Sequence, residues 1–151
     1  MIQQPSLPRA RAFARGFTLV EMLIVITMVS ILAAIAYPSY TSYVVRANRA
    51  DAQQTLLQGA QAAERYFVAN NTYVGFTLAS PLDRSPESGT VVYNMTTPTL
   101  TATAFVMRAT PASTATNKND GFLEITSQNI KRWDRNNDND TADTREDSWS
   151  R

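Results

Sequence analysis

Hydrophobic and polar residues divide the chain into three stretches. Residues 17–37 contain no Lys, Arg or Asp, and their only charged side chain is that of Glu21. As an α-helix, a run of this length measures about 31 Å at about 1.5 Å per residue, close to the roughly 30 Å hydrocarbon core of a bilayer. The first stretch therefore predicts a helix that can span a membrane.

The second stretch, residues 38–69, is amphipathic. Its apolar residues recur in steps of four and three and so share one helical face: Ala52, Leu56, Ala60, Ala63 and Phe67. Pro38 predicts a kink, because an interior proline removes one helical hydrogen bond. Asn70 and Asn71 predict the end of the helix, since Asn tolerates the left-handed conformation found there.

Charged residues occupy another part of the surface of this second stretch. Arg46, Arg49 and Asp51 lie off the apolar face. They indicate either a solvated face or contacts with other chains.

The third stretch, residues 70–151, combines turns with short β-prone segments. Residues 71–90 are rich in Gly, Pro, Ser and Thr and predict a loop. The predicted strands follow, with Pro98 as the turn between the first two: Val91–Thr96, Thr101–Thr110, Phe122–Thr126 and Ile130–Trp133. Consecutive short strands predict an antiparallel meander of three or four strands.

Together the stretches predict an α+β fold, in which one face of the sheet packs on the amphipathic half of the helix. The side chains expected to be buried on that face are Val92, Phe105, Met107, Leu123 and Ile125.

The composition argues against an enzyme. The chain has no Cys and no His, so it lacks a thiolate, a disulfide and the usual general base near neutral pH. It also lacks the commonest nitrogen ligand for zinc. No nucleophile elbow, phosphate-binding loop or pair of catalytic carboxylates stands out in the sequence. We therefore predict that the chain is not an enzyme.

Residues 1–16 are short, basic and unlike a folded element, which predicts a leader peptide. They carry Arg9, Arg11 and Arg15 and no acidic residue, which predicts a cytoplasmic N-terminus and an external C-terminus. A secretory signal would be cut after the apolar run, where several alanines lie. A cut after Gly16 would instead keep the apolar run in the mature protein.

Glu21 needs an explanation, because a carboxylate inside a membrane span costs about 2.5 kcal/mol or more and usually has a partner. An interfacial carboxylate that reaches toward the headgroups is one alternative. A partner that neutralises the charge is the other.

The sequence Arg15-Gly16-Phe17-Thr18-Leu19-Val20-Glu21-Met22-Leu23-Ile24-Val25 resembles the class III signal of type IV pilins. The similarity continues through Ala33–Tyr40 and, more loosely, through Arg49–Ala52, Glu64–Phe67 and Asn70–Tyr73. The resemblance implies cleavage between Gly16 and Phe17 by prepilin peptidase and N-methylation of Phe17. It also implies that Glu21 pairs with the α-amino group of Phe17 in a neighbouring subunit.

The resemblance implies a pilus subunit that polymerises with copies of itself and with other pilins. The precursor would lie in the inner membrane with a periplasmic C-terminus, contact an assembly platform there, and end in an extracellular pilus. Such a pilus serves adhesion to host surfaces, twitching motility or DNA uptake. A type II secretion pseudopilin and a membrane-anchored binding module that never polymerises are the alternatives.

The acidic C-terminal segment predicts a candidate cation site. The family's two cysteine positions correspond to Asp120 and Ser148, so the resemblance implies that a disulfide is missing here. Calcium is the one cofactor that the sequence suggests, because oxygen-bearing residues alternate in the segment and could surround such an ion: Asp134, Asn136, Asp138 and Asp140, with Asp147 further on. A twelve-residue frame from Asp134 does not match an EF-hand, and neither does one from Asn136. A solvated acidic loop is the alternative.

A small basic and aromatic cluster precedes the acidic segment. Lys131, Arg132, Trp133 and Arg135 could contact a DNA backbone and stack on bases. The alternative is one strand that exposes its Lys and Arg side chains to water.

Overall fold

The computed structural model describes residues 16–150 and confirms the α+β fold. A long helix, α1, is followed by five strands: α1 Leu19–Asn70, β1 Arg84–Ser85, β2 Tyr93–Leu100, β3 Phe105–Pro111, β4 Leu123–Thr126 and β5 Lys131–Trp133. The chain divides at Pro38 into two compact units. We call residues 39–151 the head unit and describe each unit separately.

The described part of the N-terminal unit, residues 16–38, is an apolar helix from Leu19 onward with exposed side chains. By length and composition it can cross a membrane, with a mean hydropathy of 2.6 over its most apolar window. Two of its hydroxyl groups donate to carbonyl groups of the helix: Thr27 Oγ1 donates to Ile24 O and Ser30 Oγ donates to Ile26 O, each at 2.7 Å. Pro38 lies inside α1, and the kink stays a prediction.

The helix ends where the two asparagines predict. Asn70 is its last residue, and Asn71 has a φ of 55° in the left-handed region. The Asn71 N–H donates to Phe67 O at 2.7 Å, which satisfies one of the last helical carbonyl groups.

The strands form the predicted antiparallel meander, in the order β1-β2-β3-β4-β5. The number of strands is five rather than three or four, because β1 lies inside the segment predicted to be a loop. Its two residues pair as Arg84↔Asn94 and Ser85↔Tyr93. The buried Ser85 hydroxyl also donates to the Asp51 carboxylate at 2.5 Å, so a tertiary contact stabilises a strand too short to recognise from its sequence.

Pro98 is not the turn between the first long strands. It lies within β2, at an irregularity between Thr96 and Thr99 where the pairing with β3 shifts register. A bulge tolerates proline because no ladder hydrogen bond requires its missing N–H there. The chain reverses further on, where Thr101 N–H donates to Ala104 O at 2.8 Å.

The core of the head unit lies between the amphipathic half of α1 and one face of the sheet. Ala52, Leu56 and Ala63 are buried as predicted, whereas Ala60 and Phe67 pack at the border. From the sheet, all predicted side chains except the partly buried Val92 are buried. Gly59 allows close approach, since a Cβ there would lie 3.1 Å from Leu78 and 3.2 Å from Met107.

Candidate functional site

The N-terminal candidate residues lie at the start of α1. Phe17 is 75% exposed, and Glu21 is exposed in the first helical turn. Thr18 precedes the helix and forms reciprocal hydrogen bonds with Glu21. The Glu21 N–H donates to Thr18 Oγ1 at 3.2 Å, and the Thr18 N–H donates to Glu21 Oε2 at 3.4 Å. This is a capping box, which stabilises the helix start.

The capping box gives Glu21 a partner in its own chain that the sequence reasoning missed. The signal was present, because Thr followed three residues later by Glu is the sequence signature of this cap. A carboxylate has about four lone-pair positions, so one hydrogen bond to a backbone N–H leaves the exposed Glu21 able to accept from a cation. The predicted roles of Gly16, Phe17 and Glu21 in cleavage and assembly stay predictions.

Around Glu21 the surface of the helix is apolar on all sides. Large exposed side chains cover it from Leu19 to Tyr37. A contiguous apolar surface of this extent marks contact with lipid or with other proteins. The N-terminal unit therefore presents one carboxylate in an apolar surface.

In the head unit, Asp120 is the centre of a polar cluster. Its carboxylate accepts from Arg49 Nε at 2.7 Å and from the Tyr93 hydroxyl at 2.6 Å, and it also bonds Arg49 Nη2. The guanidinium carbon of Arg49 lies 3.8 Å from the centre of the Trp133 ring, and the indole N–H of Trp133 donates to Asp120 O at 2.7 Å. The helix and β2 therefore meet at the carboxylate of Asp120, and β5 is bonded to the backbone carbonyl of the same residue.

Neither prediction for Arg49 is correct. Arg49 is 7% exposed, so it belongs neither to a solvated face nor to a surface available to other chains. The cluster extends to Asn117, which is 1% exposed and donates to Tyr93 Oη and to Val45 O, each at 3.0 Å. Burial, followed by the hydrogen bond to Asp120 and its charge, raises the pKa of Tyr93 well above its ordinary value.

A second acidic cluster lies in the segment after β5. The structure brings together Asp134, Asp138 and Glu146, each of which offers an oxygen within 4.8 Å of the others. Asp134 is 1% exposed and Glu146 is 2% exposed. Burial is the main cause that raises the pKa of Asp134; backbone N–H donors oppose it, and the charges of Glu146 and Asp138 add to it.

The other predicted cation ligands lie outside this group of three. Asn136 Nδ2 donates to Asp138 Oδ2 at 2.8 Å, Asp140 Oδ1 accepts from the Ala142 N–H at 2.8 Å, and Asp147 is exposed. Sequence reasoning missed Glu146 because it is the thirteenth residue from Asp134, one beyond a twelve-residue frame. A search for acidic ligands in a loop of variable length after Asp134 would have included Glu146.

The prediction that the basic and aromatic cluster stacks on bases is wrong for its aromatic residue. Trp133 is 3% exposed, and the guanidinium carbons of Arg49 and Arg135 lie 3.8 Å and 5.6 Å from its ring centre, so it is too buried to stack on a base. Lys131 and Arg132 are partly buried, and the Lys131 ammonium lies 5.3 Å from the Trp149 ring centre. Arg135 stays exposed.

An apolar N-terminal helix with one carboxylate at its start, continued by an amphipathic half that packs on an antiparallel meander, defines the pilin class of proteins. Comparison with family models agrees with this. Residues 11–37 match the prokaryotic N-terminal methylation motif. Residues 38–121, more than half of the chain, match the family described as "Type IV minor pilin ComP, DNA uptake sequence receptor". The chain belongs to this family of type IV pilins.

Several curated proteins are similar to the chain. The type IV major pilin protein PilA of Myxococcus xanthus is 35% identical over 75 residues, which cover 50% of this chain and 33% of PilA. A fimbrial protein of Pseudomonas aeruginosa is 34% identical over 86 residues, which cover 49% of this chain and 56% of the fimbrial protein. The type IV major pilin protein PilE1 of Neisseria gonorrhoeae is 40% identical over 73 residues, which cover 44% of this chain and 43% of PilE1. The matches thus span between a third and just over half of these relatives.

Among solved structures, the chain is similar to the non-core minor pilin PilV of Neisseria meningitidis. The TM-score is 0.48 with 21% identity, and the match covers 60% of this chain and 86% of PilV. Family membership confirms the predicted resemblance to type IV pilins. It also identifies the chain as a structural protein rather than an enzyme.

Proposed function

We propose that the chain is a type IV pilus subunit whose precursor is cut between Gly16 and Phe17, methylated at Phe17 and polymerised through the apolar half of α1. The match of residues 11–37 to the methylation motif is the observation that carries this proposal. The precursor would lie in the inner membrane with a periplasmic head unit, and prepilin peptidase and an assembly platform would act on it there. The mature chain would end in the pilus.

Polymerisation is physically reasonable for this helix. Its apolar side chains are exposed, and they would be covered by lipid before assembly and by similar helices afterwards. Lipid tails are as apolar as leucine side chains, so this exchange changes the hydrophobic free energy little. Glu21 would then fix the register of the subunits, because its carboxylate would pair with the amino group of Phe17 in a neighbouring copy.

The test compares two variants at the start of the helix. Glu21→Ala removes both the charge and the cap, whereas Thr18→Ala weakens the cap and keeps the charge. We expect normal membrane insertion of both variants, filaments from Thr18→Ala, and loss or gross reduction of filaments from Glu21→Ala. Electron microscopy of sheared cell surfaces measures the filaments.

Mass spectrometry of the chain in those filaments gives the second readout. We expect a methylated Phe17 at the mature N-terminus. Normal filaments from Glu21→Ala would show that assembly does not need the Glu21 charge to pair with Phe17 of a neighbouring copy. A mature chain that begins elsewhere would favour the anchored binding module, and recovery of the chain only with secretion-system filaments would favour the pseudopilin.

We further propose that this subunit binds duplex DNA during uptake. The match to a family described as a DNA uptake sequence receptor supports this role over adhesion and twitching motility, which stay predictions. The matched region ends at Gly121, where an added Cβ would lie only 1.6 Å from Asp134 O. The matched region and the segment after β5 are therefore in close contact.

Three cations near this contact are candidates to bind phosphates. Lys118, Arg135 and Arg145 are exposed, and within residues 16–150 none of them forms an ion pair with an acidic side chain. Arg135 and Arg145 line one surface concavity of about 460 Å³, which Asp143 and Glu146 also line. Lysine and arginine side chains that neutralise phosphates supply most of non-specific DNA affinity.

The test measures binding of the full-length chain, in detergent micelles, to mixed-sequence duplex DNA at several salt concentrations. If each cation neutralises one phosphate, Lys118→Ala, Arg135→Ala and Arg145→Ala should each lower the slope of log K against log salt by about 0.9. Arg84→Ala is the matched control, because Arg84 pairs with Asp83 at the β1 edge. The DNA proposal would be contradicted if Arg84→Ala lowered the slope as much as the three test variants do, or if the parent chain did not bind DNA. Either result would leave the pilus proposal intact.

A further inference from the structure

The segment between β5 and the C-terminus forms a closed loop, residues 134–146. The Trp133 N–H donates to Glu146 O at 3.0 Å, so the end of the loop returns to its start. Backbone N–H groups inside the loop point at its own side chains: those of Asp138 and Asn139 donate to Asp134 Oδ1 and Oδ2, each at 3.1 Å. The loop is thus organised around carboxylates.

Glu146 has an unsatisfied buried oxygen. Its side chain is 2% exposed, and Oε1 accepts from the N–H groups of Arg135 at 2.9 Å and Asn136 at 3.4 Å. Oε2 is buried and has no hydrogen-bond partner. Within the described residues it is the one buried side-chain N or O atom of this kind. A buried charged oxygen without a partner is costly, so something else must compensate it.

No cationic side chain supplies that compensation. Asp134, Asp138 and Glu146 bring three carboxylates into one small volume, and the ion pairs found in residues 16–150 involve other acids. Like charges at such distances repel one another in a partly buried site. The loop therefore lacks a positive charge at its centre.

The separations fit a calcium ion. Calcium binds oxygen at about 2.4 Å, so two ligands on opposite sides of the ion lie at most about 4.8 Å apart. The three carboxylates each offer an oxygen within 4.8 Å of the others. Calcium accepts about six to eight oxygen ligands in flexible geometry, whereas magnesium requires a near-ideal octahedron. The chain has no His or Cys, so it lacks the side-chain ligands that softer metals prefer.

We propose that Asp134, Asp138 and Glu146 bind a calcium ion that holds the loop of residues 134–146 closed against β5. Loop carbonyl groups and water would supply the remaining ligands. This inference does not depend on polymerisation or DNA binding.

Calorimetric titration and thermal unfolding of the full-length chain in detergent micelles test the proposal. We expect one calcium ion per chain. We also expect the melting temperature to rise on the order of 5–10 °C at calcium about 100-fold above its Kd. The only tryptophans, Trp133 and Trp149, lie in the head unit, so their fluorescence reports the binding directly.

Glu146→Gln should remove the calcium response, with a Kd at least about tenfold weaker, because ligand charge sets calcium affinity. Without calcium its melting temperature should equal or exceed that of the parent chain, since one repelling charge is gone. Asp147→Asn is the matched control and should keep the response, because Asp147 is exposed outside the group. Asp138→Asn, at an exposed ligand, repeats the test should Glu146→Gln fail to fold.

Three results would overturn the proposal. The first is a melting temperature unmoved by millimolar calcium. The second is equal stabilisation by magnesium at the same concentration. The third is a Glu146→Gln chain that is destabilised but still responds to calcium, which would assign Glu146 a purely structural role.

Discussion

Asp120→Ala tests whether a single carboxylate joins the amphipathic half of α1 to the sheet. The change removes the partner of Arg49 and the acceptor of the Tyr93 hydroxyl. The side chains of Arg49 and Asp120 are 9% and 7% exposed, so water cannot easily replace the missing carboxylate. We expect the head unit to lose a large part of its stability.

The magnitude follows from the groups that remain. Removing one partner of a buried ion pair costs about 3–5 kcal/mol, because the other charge stays buried without compensation. The Tyr93 hydroxyl also loses its acceptor, which adds about 1 kcal/mol. The interaction of Arg49 with the Trp133 ring survives and offsets part of this cost. We therefore expect a destabilisation of about 4 kcal/mol.

Urea unfolding of the full-length chain in detergent micelles, followed by tryptophan fluorescence, measures the change. Asp83→Ala is the matched control, because it breaks another Arg–Asp ion pair whose side chains are 43% and 36% exposed. We expect a much smaller change there, since water screens exposed pairs. Equal destabilisation of the two variants would refute the reasoning from burial.

A double-mutant cycle separates the ion pair from general packing. Once Arg49→Met has removed the charge, Asp120→Ala should cost less than it does in the parent chain, by about 1–3 kcal/mol. Additive effects would mean that the two residues stabilise the head unit independently.

Two further predictions concern Gly121 and Tyr73. Gly121→Ala should destabilise the head unit by about 3 kcal/mol or more, because the φ of Gly121 is +70° and an added Cβ would lie 1.6 Å from Asp134 O. Gly89→Ala is the control and should cost less in the same urea assay, because Gly89 has a φ of +90° but lies in open space. Burial, then the hydrogen bond to Glu64 and its charge, raises the pKa of Tyr73 from 10.0 to about 12. The stabilisation is therefore complete below about pH 10 and is lost as pH rises toward 12, and the urea midpoint of Tyr73→Phe should fall less over that range.

Features that depend on local periodicity could be predicted from the sequence. The apolar run, the helical face of Ala52, Leu56 and Ala63, and the stop at Asn70 each depend on residues a few positions apart. The alternation in β3 likewise identifies Phe105 and Met107 as buried. The sequence therefore carries the class of fold and most of the core.

Features that depend on distant partners could not be predicted. Arg49 lies three positions before Ala52, on the side of α1 that packs on the sheet, but its charge favours a solvated position until its partner, 71 positions away, is placed beside it. The same holds for β1, whose Ser85 bonds a carboxylate 34 positions away. Glu146 looks like one acid among several, and only the closure of the loop shows that it is buried. In each case tertiary structure outweighs the local pattern.

Trp133 connects the two polar clusters of the head unit. Its indole N–H donates to Asp120 O, its ring contacts Arg49, and its backbone N–H donates to Glu146 O. The side chain of Trp133 contacts the Asp120 cluster, and its backbone N–H holds the end of the acidic loop, so a displacement of Trp133 at one cluster disturbs a hydrogen bond at the other. We therefore expect Asp120→Ala to weaken the calcium response of the loop, although Asp120 lies outside the proposed calcium ligands.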